Sequence, residues 1–177
     1  MANRILAVCL DFGDTLADEA SEVKDDTLTT LQAELIPGAG ELLHELKRRG
    51  YKLALVADGR PGTYSNVLRQ HSVHALFDVF AISEEVGVEK PDARMFLTAL
   101  EALGIELEDY DRTVMVGNRL DRDVRGANEL GMISVWIDWS GRHTATPQDE
   151  SEVPDFTIRM PIELLNVLEE LEQEQVR

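Results

Sequence analysis

The chain has a single cysteine, Cys9, among its 177 residues. One thiol makes no intramolecular disulfide and no multi-cysteine zinc site. Positive charge is also scarce. Lys and Arg number 17 against 34 Asp and Glu, a formal net charge of −17. A generic nucleic-acid binder needs a basic face to neutralise phosphates, and an anionic membrane surface asks for the same, so this balance argues against both. No apolar run approaches bilayer length. The stretch ahead of Asp11 is too short for a signal-peptide core and its cleavage site, so the expected location is the cytoplasm. The sequence has no Gly-x4-Gly-Lys-Ser/Thr loop, no Gly-x-Ser-x-Gly elbow and no Gly-x-Gly-x-x-Gly. It has no internal repeat, low-complexity run or Gly/Ser linker, so one domain over residues 1–177 is expected.

Hydrophobic residues make up 44% and charged residues 29%, which suits a folded chain with a real core. Short apolar runs alternate with amphipathic stretches. Ile5 to Leu10, Leu53 to Ala57, Val79 to Ile82, Thr113 to Val116 and Ile133 to Ile137 read as strands, with Phe156 to Ile158 as an edge strand. Ala39 to Arg49, Thr63 to His71, Pro91 to Leu103 and Asp121 to Leu130 read as helices, and a last helix covers residues 161–175. Near-continuous apolar strands alternating with helices predict an α/β, Rossmann-like, doubly wound and mainly parallel sheet with helices on both faces. Residues 14–37 read as a short acidic flap and 142–153 as a polar loop. Cys9 is expected to be a small buried apolar residue. His44, His71, His74 and His143 share no metal-binding spacing and read as structural or surface residues. Trp136 and Trp139 read as core and rim packing.

Ligands in such folds sit beyond the carboxyl ends of the strands, and polar residues gather there. The first strand runs into Asp11-Phe12-Gly13-Asp14-Thr15, the second into Asp58-Gly59-Arg60, and the fourth into Gly117-Asn118-Arg119-Leu120-Asp121-Arg122-Asp123. Glu89-Lys90-Pro91-Asp92 lies between the last two. Converging carboxylates with one lysine would hold Mg²⁺ through oxygen ligands, and metal plus lysine would neutralise a phosphoryl group. Each residue taken alone reads as an ordinary helix cap or turn; the set in this order does not. Asp58, Gly59 and Arg60 in one strand-end loop and Arg119 in another are candidates for substrate binding, the two arginines reading equally as solvated surface residues.

In this order and spacing the chain resembles the haloacid dehalogenase-like (HAD) hydrolase superfamily. The resemblance rests on Ile5–Leu16, Tyr51–Gly59, Glu84–Phe96 and Thr113–Met132. It implies that Asp11 is the aspartate nucleophile of a covalent phosphoaspartate and that Lys90 orients it. It also implies that Asp11, the Gly13 carbonyl, Asn118 and Asp123 hold Mg²⁺. The implied activity is that of a phosphatase acting on a phosphorylated substrate, small or large.

Three positions depart from the family pattern. Gly13 stands where the family has its acid/base aspartate, Ala57 replaces a phosphate-binding Ser or Thr, and Asn118 replaces a metal-binding Asp. A positioned general acid is worth about 10²–10⁴ in rate. Its loss matters most for alkyl phosphates, so restriction to good leaving groups is expected. Asp14 replaces the acid only if the loop shifts its register by one residue; otherwise it is a turn residue. A catalytically silent phosphate-binding or assembly protein is the alternative reading, and metal-free carbon–halogen hydrolysis a third. The segments after the first and second strands are too short for a large cap domain. An open site of this kind suits a large substrate or a second copy acting as a lid.

Overall fold

The structure, a computed structural model, describes residues 3–173. In chain order the strands are β1 (Ala7–Leu10), β2 (Val23–Lys24), β3 (Thr30–Gln32), β4 (Lys52–Ala57), β5 (Val79–Ile82), β6 (Thr113–Gly117), β7 (Ile133–Ile137) and β8 (Phe156–Ile158). The helices are α1 (Ala39–Arg48), α2 (Pro61–Gln70), α3 (Ser83–Val86), α4 (Ala93–Ala102), α5 (Arg125–Leu130) and α6 (Leu164–Gln173). Six strands form one sheet in the order β5-β4-β1-β6-β7-β8, and every pairing in it is parallel. The doubly wound α/β sheet read from the sequence is the observed architecture. The final helix expected over 161–175 begins as a 3₁₀ turn at Pro161, and its last residues lie outside the described ones.

The alternation of side chains across the strands sorts the core into two layers. Val8, Leu10, Leu53, Leu55, Val114 and Val116 face the layer filled by α1, α2 and α6. Ala7, Cys9, Ala54, Val56 and Met115 face α4 and α5. This second face is lined with small residues, so Phe96 and Met95 of α4 press close and are fully buried. Cys9 is part of that layer, and burial pushes its thiol up to about 12. Both faces are covered, which is why the central strands are nearly continuous apolar runs.

The chain leaves β1 at the sheet centre, builds β4 and β5 on one side, then returns through α4 to place β6 on the other. The order therefore reverses at β1, and the loops after β1, β4 and β6 meet at one end of the sheet.

The acidic flap contains a hairpin that the sequence pattern did not reveal. β2 and β3 pair antiparallel with a register irregularity at Val23 and Lys24. Strands of two and three residues carry too little periodicity to be read. The hairpin is pinned to α2 by three side-chain contacts. Thr30 N donates to Thr63 Oγ1 at 3.0 Å, Asn66 Nδ2 to the Thr30 carbonyl at 3.0 Å, and Ala33 N to Gln70 Oε1 at 3.2 Å.

Candidate functional site

Lys90 organises the strand ends. It is 4% exposed, and its ammonium donates to Asp11 Oδ1 at 2.8 Å, Asp123 Oδ1 at 2.6 Å and the Val56 carbonyl at 2.8 Å. Each partner follows from the fold: Asp11 ends β1, Val56 lies in β4, and Asp123 sits in the turn after β6. Asp58, beyond β4, accepts from the Lys90 backbone N–H at 3.0 Å and from Arg122 Nη1 at 3.1 Å. Burial alone would lower the Lys90 pKa, but the charges of Asp11, Asp123 and Asp58 outweigh it, so the ammonium is held.

Asp123 is 1% exposed. Burial first, and the charge of Asp11 second, push its pKa up against the pull of Lys90. Its second oxygen accepts the Arg119 backbone N–H at 3.0 Å. A wide π-helical turn over Leu120–Val124 folds it back in this way. The carboxyl comes to rest on Gly117, where a Cβ would collide with the Asp123 side chain. Trp136 Nε1 donates to the Asn118 carbonyl at 3.1 Å, which fixes the start of the same loop.

These groups line a cavity of about 440 Å³, within the range of small-molecule sites. Asp11, Gly13, Asp58, Lys90, Asn118 and Asp123 form its floor. Glu19, Glu22, Lys24, Leu28 and Thr30 from the flap make one wall, and Arg119, Arg122 and His143 another. Gly59 and Arg60 also line it. The structure thus brings together Asp11, Gly13, Asp58, Gly59, Arg60, Lys90, Asn118, Arg119 and Asp123, all named from the sequence.

Asp14 goes elsewhere. It is fully buried, adopts a left-handed backbone (φ 50°), and is not among the cavity-lining residues. Both its oxygens accept from Arg142 Nη1, at 2.8 and 2.7 Å, and Oδ1 also accepts from the Glu19 backbone N–H at 3.1 Å. The register shift that would bring Asp14 into the site is not what the loop adopts. Asp tolerates the left-handed region better than most residues, which suits it to this turn.

Several lining residues escaped the sequence reading. Arg122 immediately precedes Asp123 in the loop and carries no signal of its own in the sequence. His143, read as a surface residue, stands at the cavity wall, where burial and then Arg119 lower its pKa. Glu19 and Glu22 belong to an acidic run that looked like solvated surface. Only the flap's fold shows that they turn inward.

The floor is rich in negative charge and its donors are oxygens: two carboxylates at Asp11 and Asp123, the Asn118 amide and the Gly13 carbonyl. Among the described residues no cluster of three His, Cys, Asp or Glu is arranged to hold a metal. A hard cation would therefore rest on this mixed oxygen set.

The parallel sheet, with a buried lysine joining aspartates from the loops after β1 and β6, defines an α/β protein whose polar site lies beyond the strand ends. The profile of the haloacid dehalogenase-like hydrolases matches residues 6–131, and the chain belongs to that family. It is 40% identical over 129 residues to the glyceraldehyde 3-phosphate phosphatase of Methanopyrus kandleri, covering 73% of this chain and 54% of that one. It is 38% identical over 124 residues to the phosphoserine phosphatase of Thermus thermophilus, covering 70% and 47%. The chain thus spans about half the length of the curated relatives it matches. The HAD phosphatase of Thermococcus onnurineus superposes with a TM-score of 0.76 at 22% identity, over 93% of this chain and 98% of that one, which supports the fold. YfnB of Bacillus subtilis, solved bound to magnesium, superposes with a TM-score of 0.65 at 26% identity over 76% and 56%. Among the described residues no helix is long and apolar enough to cross a membrane.

Proposed function

We propose that the chain hydrolyses small phosphate monoesters, with Asp11 as the nucleophile. The observation that carries the reading is the contact of Lys90 with Asp11 and Asp123 at once, in a buried pocket. Lys90 holds the Asp11 carboxylate at a fixed position and leaves Oδ2 to the cavity, where among the described residues only the Thr15 hydroxyl donates to it, at 3.4 Å. Fixed placement of a nucleophile replaces the entropy cost of a bimolecular encounter. Asp11 would attack phosphorus, and the ester's leaving oxygen would depart on the opposite side.

Mg²⁺ fits the donor set, with Asp11, the Gly13 carbonyl, Asn118 and Asp123 as its holders. When bound it would supply charge neutralisation for the phosphoryl oxygens. Asn118 keeps an oxygen donor but brings no charge, so affinity is expected to be lower than with a third carboxylate. Lys90 and Arg122 supply the remaining positive charge, and Arg60 faces the cavity for a substrate anion.

The substrate class follows from cavity size and from the relatives, whose names specify small alkyl phosphates. We place the activity in the cytoplasm, on the single buried thiol and the acidic surface, and take residues 1–177 as one domain. The flap already forms one wall of the cavity, so this reading needs no second copy as a lid.

The test is turnover of a panel of phosphate monoesters with and without Mg²⁺, beside Asp11→Asn. Mg²⁺-dependent phosphate release that Asp11→Asn abolishes is the expected result. Thermal stabilisation by phosphate without any turnover would favour a silent binding protein. Gly13, Ala57 and Asn118 are the residues that motivate that second reading.

A further inference from the structure

An alkyl phosphate leaves as an alkoxide that needs a proton, and Gly13 brings no side chain to give one. The cavity holds five carboxyls besides the backbone groups, and four of them are committed. Asp11 is bound by Lys90, and Asp123 by Lys90 and the Arg119 N–H. Asp58 is bound by the Lys90 N–H and Arg122, and Glu22 by Lys24 and the Thr30 hydroxyl. Glu19 is the fifth. Among the described residues its carboxyl makes no hydrogen bond and no ion pair. A Cβ built on Gly13 would collide with Glu19 Oε1, so this carboxyl fills the space that a side chain at position 13 would enter. That space lies two residues past Asp11, on the cavity side.

We propose that Glu19 is the proton-transfer residue of this site, reaching from the flap to replace the side chain that Gly13 lacks. The proposal rests on the phosphatase reading above and on the position of the carboxyl. In the first step an Asp11 oxygen bonds to phosphorus. The bond from phosphorus to the leaving oxygen breaks, and that oxygen keeps the electron pair and takes the Glu19 proton. In the second step a water oxygen bonds to phosphorus and gives its proton to the Glu19 carboxylate. The bond from phosphorus to Asp11 breaks, and Asp11 regains its charge as phosphate leaves. Glu19 ends protonated, as it began.

The backbone that carries this side chain is anchored. Glu19 opens a short 3₁₀ turn capped by Asp18, and its N–H is anchored on Asp14. Asp14 is in turn gripped by Arg142, which also reaches Asp18 at 3.1 Å. Asp14 and Arg142 are therefore positioning residues for Glu19.

The experiment compares an alkyl and an aryl phosphate on wild type, Glu19→Gln and the double variant Glu19→Ala/Gly13→Asp. Glu19→Gln is expected to lower alkyl phosphate turnover by about 10²–10³-fold. With the aryl ester, whose leaving group needs no proton, it should still release about one equivalent of phenol per site in a burst and then stall as phosphoenzyme. The double variant, which returns a carboxyl to the vacated backbone position, should recover at least about a tenfold part of the lost alkyl turnover. Equal loss of the aryl burst and the alkyl rate, or no loss of either, overturns the role of Glu19 while leaving Asp11 chemistry standing. Wild type without Asp11-dependent turnover of either ester overturns the phosphatase reading itself. Glu19→Gln changes an exposed side chain without a partner, and an unchanged melting temperature checks that it folds.

Discussion

Arg142 Nη1 grips both carboxylate oxygens of Asp14, at 2.8 and 2.7 Å, across 128 residues of chain. Asp14 is fully buried, so its charge has no recourse to water. Arg142→Ala leaves that charge with only the Glu19 N–H. The expected loss is about 1.5–3 kcal/mol, the scale of a charged hydrogen bond, because the guanidinium itself is partly solvated. Urea unfolding of Arg142→Ala, Asp14→Asn and the double variant measures it. Coupling of less than about 0.5 kcal/mol would show that the pair is not a stabilising unit. The same variant should slow alkyl phosphate turnover, since the Glu19 turn loses its anchor.

Three arginines face the cavity, and two already have close carboxylates. Arg119 forks onto Asp121 at 2.9 and 2.8 Å, and Arg122 reaches Asp58 at 3.1 Å. Among the described residues the one ion pair of Arg60 is with Glu84, at 3.9 Å. Arg60 is therefore the one available to a substrate anion. Arg60→Ala should raise KM about tenfold or more for a substrate with a second anionic group, with kcat nearly unchanged. Arg119→Ala and Arg122→Ala should instead disturb kcat, through the loops they brace. A KM unaffected by Arg60→Ala would remove it from the substrate site.

Asp123 sets a pH trend in stability. Its folded pKa is pushed up, to about 7, by burial and by Asp11. The folded chain therefore binds this proton more tightly than the unfolded chain does. The residue's contribution is full below the ordinary Asp value, about 3.9, and is lost as pH rises towards neutrality. Asp123→Asn cannot ionise. Relative to wild type it should gain stability as pH rises from about 4 to 7. Urea unfolding in chelator-treated buffer reads the difference, and parallel pH curves for the two proteins would contradict this origin of the trend.

The sequence made the sheet and the floor of the site legible for a physical reason. Buried parallel strands are continuous apolar runs, and Asp11, Asp58 and Asn118 stand just past the ends of three of them. Asp11, Asp58, Lys90, Asn118 and Asp123 converge because the strand order reverses at β1, which the alternation of elements already implies. The walls were not legible. The strands β2 and β3 are too short to show a period, and Glu19 and Glu22 look like any solvated acidic run until the hairpin is pinned to α2 through Thr30, Ala33 and Asn66. The pairing of Asp14 with Arg142 joins residues 128 apart and follows no local rule. That is why Asp14 stood as an acid candidate although its side chain is spent on holding a turn.

The central claim is that Asp11 takes the phosphoryl group. Rapid quenching of the protein with an aryl phosphate, followed by peptide mass analysis, tests it most directly. The account predicts one phosphoryl group on the peptide carrying Asp11, more of it in Glu19→Gln and none in Asp11→Asn. Steady phosphate release with no label on that peptide in any of the three proteins would contradict it.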